Sequence, residues 1–179
     1  MTWQRLRLAT LDDRQALGAL IARSVRGLSR RDYSAAQIEA ALQETFAVDT
    51  QLIRDATYYV ATTADGEIVG CGGWSRRATL FGGDTHRARD ARELDSQVDA
   101  ARIRAFFVDP GFARQGIGRA LLQRCEDAAR SAGFARADLL ATLPGVRLYE
   151  KSGYAASAPI THALARELTI TFVPMAKRL

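Results

Sequence analysis

Lysine is nearly absent from this 179-residue chain: Lys151 and Lys177 are the only two, so the net charge of +5 rests almost wholly on arginine. The arginines are scattered rather than gathered in blocks. That points to solvated helix faces and disfavours nucleic acid as a partner, since its usual footprint is a clustered basic stripe. A polyanionic small molecule would feel the same positive field. Cysteine is equally scarce. Cys71 falls inside an apolar strand pattern and Cys125 on the apolar side of a helix pattern, so both read as small core residues rather than a disulfide or metal pair. No metal site is expected. No stretch approaches the length of a membrane span, and the opening MTWQRLRLAT lacks the apolar centre of a signal peptide. A reduced, cytoplasmic setting without membrane contact is therefore expected. No repeat, linker or low-complexity run marks a boundary, and 47% of the residues are hydrophobic, so one domain over residues 1–179 is the expectation.

The functional information is concentrated between Ile103 and Arg130. Ala101, Ile103, Ala105 and Phe107 alternate with Arg102, Arg104, Phe106 and Val108, the period of a strand with two different faces. Asp109-Pro110-Gly111 stops it, because proline fixes its own φ and biases the residue before it towards extended geometry. From Gly116-Ile117-Gly118 onward, Ile117, Ala120, Leu121, Cys125, Ala128 and Ala132 fall on one helical face, with Arg119, Gln123, Glu126, Asp127 and Arg130 opposite. The first turn of a helix has unpaired N–H groups and partial positive charge, so a small-residue turn there lets an anion approach the backbone. A diphosphate at residues 113–119 is one reading; a tight turn with close strand–helix packing is the other. Two familiar phosphate motifs are excluded. The dinucleotide fingerprint needs a third glycine where Leu121 stands, and the P-loop needs Lys-Ser/Thr where Arg119-Ala120 stands.

Around this stretch the pattern reads as strand (Trp3 to Leu8), a helix capped at Thr10, a second helix capped at Ser34, and a hairpin of Thr57 to Thr63 with Glu67 to Arg76. Gly70, Gly72 and Gly73 suit a strand only if a bulge or ligand comes close to the backbone. Trp74 reads either as an aromatic closing the core edge or as a substrate contact. Residues 77–100 show little periodicity and form a long loop. Its Asp84, His86, Glu93, Asp95 and Asp99 are each a solvated side chain or a general base. Phe134 to Thr142 is a strand, and with the preceding strand and helix it implies a right-handed parallel crossover. A short helix over Val146 to Lys151 and closing strands at Tyr154 and Glu167 to Met175 complete the chain.

In order and motif the chain resembles the GNAT superfamily of N-acetyltransferases. ARQGIGRALL (Ala113 to Leu122) is similar to the family's acetyl-CoA pyrophosphate loop, and LPGVRLYEKSGY (Leu143 to Tyr154) to its later Tyr-x-x-x-Gly-aromatic motif. Ala113 stands where the family often has Gln or Arg, and Thr142 where many members have asparagine. The resemblance implies an α/β (α+β) fold: a mixed, mostly antiparallel central sheet with a splayed parallel pair in the middle, flanked by helices. It implies acetyl-CoA as co-substrate, held by Ala113, Arg114, Gln115, Gly116, Ile117, Gly118 and Arg119. Phe106, Phe107, Val108 and Thr142 would border the pantetheine, with a backbone N–H near Phe107 or Val108 facing the oxyanion. Tyr149 corresponds to the general acid that protonates the departing thiolate. The expected acceptor is a primary amine, most simply a small molecule, in a pocket bordered by Leu28, Tyr33, Trp74 and residues 79–86. The base is a carboxylate or water from the 77–100 loop. A non-catalytic acyl-CoA sensor, or acetylation of a protein N-terminus or charged transfer RNA, are the competing readings. A homodimer through the C-terminal strands is common in the family.

Overall fold

The computed structural model describes residues 2–86 and 89–179. Its strands are β1 (Trp3–Leu8), β2 (Tyr58–Thr63), β3 (Ile68–Ser75), β4 (Ala101–Val108), β5 (Arg136–Thr142), β6 (Ala155–Ala156), β7 (Ile160–Ala163) and β8 (Thr169–Arg178). Its helices are α1 (Arg14–Leu28), α2 (Ala35–Glu44), α3 (Thr50–Arg54), α4 (Ile117–Ser131) and α5 (Val146–Lys151). Capping sets where two of them begin. A 3₁₀ turn led by Thr10, whose N–H donates to Asp13 Oδ2 at 2.7 Å, feeds α1. Ser34 and Gln37 cap each other reciprocally at the start of α2. The short α3 carries too few residues for a periodic signal, and its N-cap is the fully buried Asp49, which accepts from Leu52 N–H at 3.3 Å.

The strands form one sheet in the order β1-β2-β3-β4-β5-β8-β6, with β7 also on β8. All pairings are antiparallel except β4–β5. Alternation sorts β2 between the two faces. Tyr59 and Ala61 join Ile117, Leu121 and Cys125 of α4, while Tyr58 and Val60 join Leu17 and Leu20 of α1 and Leu52 of α3. A third cluster packs Ile21 and Val25 of α1 and Ile38 of α2 onto Ile170 and Phe172 of β8. Both cysteines are free and buried in these layers. The C-terminal edge consists of β6 and β7, short strands whose residues are mostly exposed.

The structure corrects two sequence readings. The buried face of α4 is Ile117, Leu121, Leu122, Cys125, Glu126 and Ala129, so Glu126 lies inside rather than on the solvated side. Lys177 from β8 reaches over it and donates to its carboxylate at 2.8 and 3.0 Å, which compensates the buried charge. The alternation of β4 also slips once. Cys71 pairs with Phe107 and Gly73 with Arg104, leaving Ala105 and Phe106 together opposite Gly72. Ala105 takes φ +60° at this bulge. Beyond it Phe106 and Val108 join the α4 face, and Phe107 joins the α1 face. A Cβ on Gly72 would sit 2.7 Å from the Phe106 ring, and one on Gly70 would sit 2.5 Å from Ile117. Close side-chain packing therefore accounts for the glycines of β3.

Candidate functional site

The parallel pair in the middle of the sheet is barely a pair. β4 and β5 share only two registers, Ala101 with Ala137 and Arg102 with Asp138. Further along, β5 continues on β8 through Thr142 opposite Phe172, and β4 continues on β3 through Val108 opposite Gly70. The inner edges are left apart. Asp109 N–H donates to Val69 on the β3 side, so by alternation the peptide of Val108 faces the opening. Its N–H is capped by Ser24 Oγ of α1 at 3.1 Å. A cleft of about 1290 Å³ occupies the opening and extends over both neighbouring helices and the loops around them.

At the wide end of the gap lies the loop between β4 and α4. Asp109 holds its start, accepting from Gly111 N–H at 2.9 Å and from Arg23 Nε of α1 at 2.8 Å. Trp3 Nε1 donates to Gln115 O at 3.0 Å. Arg114 and Gly116 both adopt positive φ, +66° and +84°. With this alternation of hand, the N–H groups of residues 114–119 find no hydrogen-bond partner among the described residues. Successive free N–H groups in such a turn, at the N-terminus of a 15-residue helix, form a concave site for an anion. Around a Cβ built on Gly116 there is open space, so the glycine answers to its dihedral; one on Gly118 would meet Leu148 of α5 at 3.1 Å, so there packing matters. Arg114, Arg119, Arg147 and Lys151 also border this end of the cleft. The last two were not singled out by sequence. Their i, i+4 spacing on α5 was the available signal.

Tyr149 projects from α5 into the same cleft. It is 7% exposed, with its ring edge-on to Phe106 of β4 (6.2 Å) and to Tyr154 (5.8 Å). Burial pushes its phenol above the ordinary range. The contact with Phe106 therefore brings Tyr149 up to the bulge.

The opposite arm of the cleft is bordered by Leu28, Phe46, Phe81, Phe107, Leu140 and Phe172. Of the residues expected at an acceptor pocket, the structure brings Leu28 and residues 80–83 of the 79–86 stretch to the cleft, but neither Tyr33 nor Trp74. Tyr33 is buried, and its hydroxyl donates to Thr171 O at 2.7 Å and accepts from Leu143 N–H at 2.8 Å, tying the turn between α1 and α2 to β8 and to the residue that follows β5. Burial pushes its phenol up to about 12. Trp74 is 3% exposed and packs edge-on to Phe134 on the α4 face of the sheet, outside the lining of the cleft. The carboxylates named in the 77–100 loop do not line the cleft either. Asp84 Oδ1 accepts from Thr50 N–H and Oγ1, both at 3.0 Å. Asp99 accepts from Asp95 N–H at 2.9 Å, Asp95 from Gln97 N–H at 2.9 Å, and Glu93 faces Arg77 at 3.8 Å. His86 stacks on Phe81 at 4.7 Å. Arg87 and Ala88 of the same loop lie outside the described residues.

Arg104, read from sequence as part of a polar strand face, is 5% exposed. Its Nη2 lies 3.0 Å from Asp49 Oδ2, an off-axis charge contact rather than a hydrogen bond. Nη1 donates to Thr79 O at 3.2 Å, and Arg89 Nη2 donates to Asp49 Oδ1 at 2.8 Å. Desolvation lowers the pKa of Arg104 against the pull of Asp49. The cluster binds the long loop to α3 and β4 directly behind the cleft.

Comparison with known proteins is consistent with this geometry. No curated protein matches the sequence. Among solved structures, a GCN5-related N-acetyltransferase from Rhodopseudomonas palustris matches with a TM-score of 0.73 at 20% identity, covering 100% of this chain and 99% of that one. The PaiA N-acetyltransferase from Thermoplasma acidophilum, solved in complex with coenzyme A, gives 0.69 at 16% identity, covering 100% of both chains. A ribosomal-protein-alanine N-acetyltransferase from Brucella melitensis gives 0.65 at 17%, covering 98% and 100%. At these identities the likeness is one of fold. The acetyltransferase (GNAT) family model matches residues 22–154, a span that takes in the bulged β4, the 113–119 loop, the gap and Tyr149. The chain belongs to the GNAT acetyltransferase family.

Proposed function

We propose that this protein transfers an acetyl group from acetyl-CoA to a primary amine of a small-molecule acceptor, by direct attack in a ternary complex. The observation that carries this reading is the opening between β4 and β5, with unpaired N–H groups at residues 114–119 at its mouth and the buried Tyr149 beside the bulge. In this reading the diphosphate of CoA takes those N–H groups, and Arg114, Arg119, Arg147 and Lys151 supply counter-charge. The pantetheine arm enters the gap as an added strand between Phe106 to Val108 and Thr142, where otherwise unpaired backbone groups gain partners.

The neutral amine nitrogen attacks the thioester carbonyl. A C–N bond forms, the C–S bond breaks, the surplus proton on nitrogen leaves to water, and the sulfur takes the phenolic proton of Tyr149, which solvent restores. N-acetylamine and CoA thiol are the products. The N–H of Val108, which faces the opening and is held there by Ser24 Oγ, is the oxyanion donor of this proposal, exchanging the serine oxygen for the oxyanion while the backbone dipole keeps its orientation. Solvent water is the base of this proposal, because the loop carboxylates are engaged elsewhere and His86 packs against Phe81 without joining the cleft lining.

Calorimetric titration with CoA tests the donor site. Gly116→Val forces a β-branched residue into φ +84°, so affinity for CoA should fall at least about tenfold while circular dichroism stays unchanged. Undiminished affinity in a folded Gly116→Val protein would remove the 113–119 loop from the donor site.

A further inference from the structure

The acceptor arm of the cleft is aromatic on several sides. Phe46 of the α2–α3 connection meets Phe107 of β4 edge-on at 6.0 Å and Phe172 of β8 at 6.2 Å, and Phe81 of the long loop meets Phe172 at 5.4 Å. Four of the chain's seven phenylalanines thus converge on one space. Backbone hydrogen bonds join the walls. Gly83 N–H donates to Thr45 O at 3.0 Å and Asp84 N–H to Val48 O at 2.9 Å, so the loop and the end of α2 form one continuous surface.

Charge is distributed unevenly around this arm. Among the described residues, Asp32 is the only carboxylate bordering the whole cleft, and it stands in the exposed turn between α1 and α2 beside Arg30 and Arg31. The one charged side chain deeper in, Arg104, is cationic and already turned to Asp49 and Thr79. An ammonium group carried into this arm would lose water and find no anion, a costly transfer for an unpaired charge. An aromatic ring would replace water with matching edge and face contacts. Desolvation also favours the neutral form of an amine, the form that attacks, which fits a site without a side-chain base.

We infer that the acceptor is a small monoamine whose single amino group is borne on an aromatic body, and that polyamines and aminoglycosides are excluded by the lack of a second anionic contact. The inference rests on the assignment of the other arm of the cleft to acetyl-CoA. CoA release from acetyl-CoA would be followed with 2-phenylethylamine, spermidine, kanamycin and a peptide with a free N-terminus. 2-Phenylethylamine should exceed spermidine and kanamycin in kcat/KM by about 100-fold. Phe81→Ala, a change in the loop, should raise KM for 2-phenylethylamine about tenfold with CoA affinity unchanged. Leu28→Glu, at a partly exposed position on the rim, places a carboxylate where none exists and should narrow the gap between spermidine and 2-phenylethylamine. Preference for spermidine, kanamycin or the peptide by the unmodified protein overturns the inference, as does indifference of 2-phenylethylamine to Phe81→Ala. Calorimetry of 2-phenylethylamine with the CoA-free protein separates the two assignments. Loss of CoA binding with retained, Phe81-dependent amine binding overturns the donor site alone, and absence of amine binding to a protein that binds CoA overturns the acceptor class alone.

Discussion

Tyr149 shows how a single side chain is prepared by its surroundings. It sits in a six-residue helix too short to be stable by itself, and its ring is held between Phe106 and Tyr154. Burial raises its phenol above the ordinary value, so the group stays protonated throughout the neutral and mildly alkaline range, the state required of an acid. Two consequences can be measured in pH–rate profiles. kcat/KM should rise with pH as the acceptor ammonium loses its proton, and no fall from ionisation of Tyr149 should follow below about pH 10. Tyr149→Phe should keep CoA affinity and lower kcat about 100-fold. An unchanged kcat would make Tyr149 a packing residue.

At the scale of elements, the parts legible in the sequence were those with a periodic or capping signal: β4 with its stop at Asp109-Pro110, the turn into α4, the box at Ser34 and the sheet's parallel crossover. The family motifs added the splay and Tyr149, and the structure brings β4, the loop and Tyr149 to one cleft. What escaped has a physical reason in each case. The β4 bulge adds one residue without altering composition, so the faces of Phe106 and Phe107 were exchanged. Burial of Glu126 and Arg104 depends on Lys177 and Asp49, partners 51 and 55 residues away. Tyr33 and Trp74 have the chemistry of pocket residues, but their hydrogen bonds or packing are spent on the scaffold. The loop over 77–100 lacks periodicity because hydrogen bonds and ion pairs, not a repeated apolar face, fasten it. Asp49 is central to that fastening. Asp49→Asn removes its charge and leaves Arg104 buried beside a neutral group, which should cost about 3–5 kcal/mol in urea unfolding. Since that is a large part of ordinary domain stability, a shift below about 1 kcal/mol would mean that water already neutralises the pair.

At the scale of the whole molecule, the sheet is continuous at one end of its central pair and open at the other, and helices on both faces border the opening. α1 has a special place in that arrangement. Ser24 holds the N–H of Val108 and Arg23 holds the carboxylate of Asp109 on the donor side, while Val25 beside them and Leu28 one turn on border the acceptor arm. A displacement of this single helix turn cannot alter one arm and spare the other. The two ligands should therefore be thermodynamically coupled: the factor by which saturating acceptor changes the Kd of CoA must equal the factor by which saturating CoA changes the Kd of the acceptor. Ser24→Ala, which frees the N–H of Val108, should shrink both factors together when each is measured by calorimetry, and factors that stay as large in Ser24→Ala as in the unmodified protein would show that the arms communicate by another route.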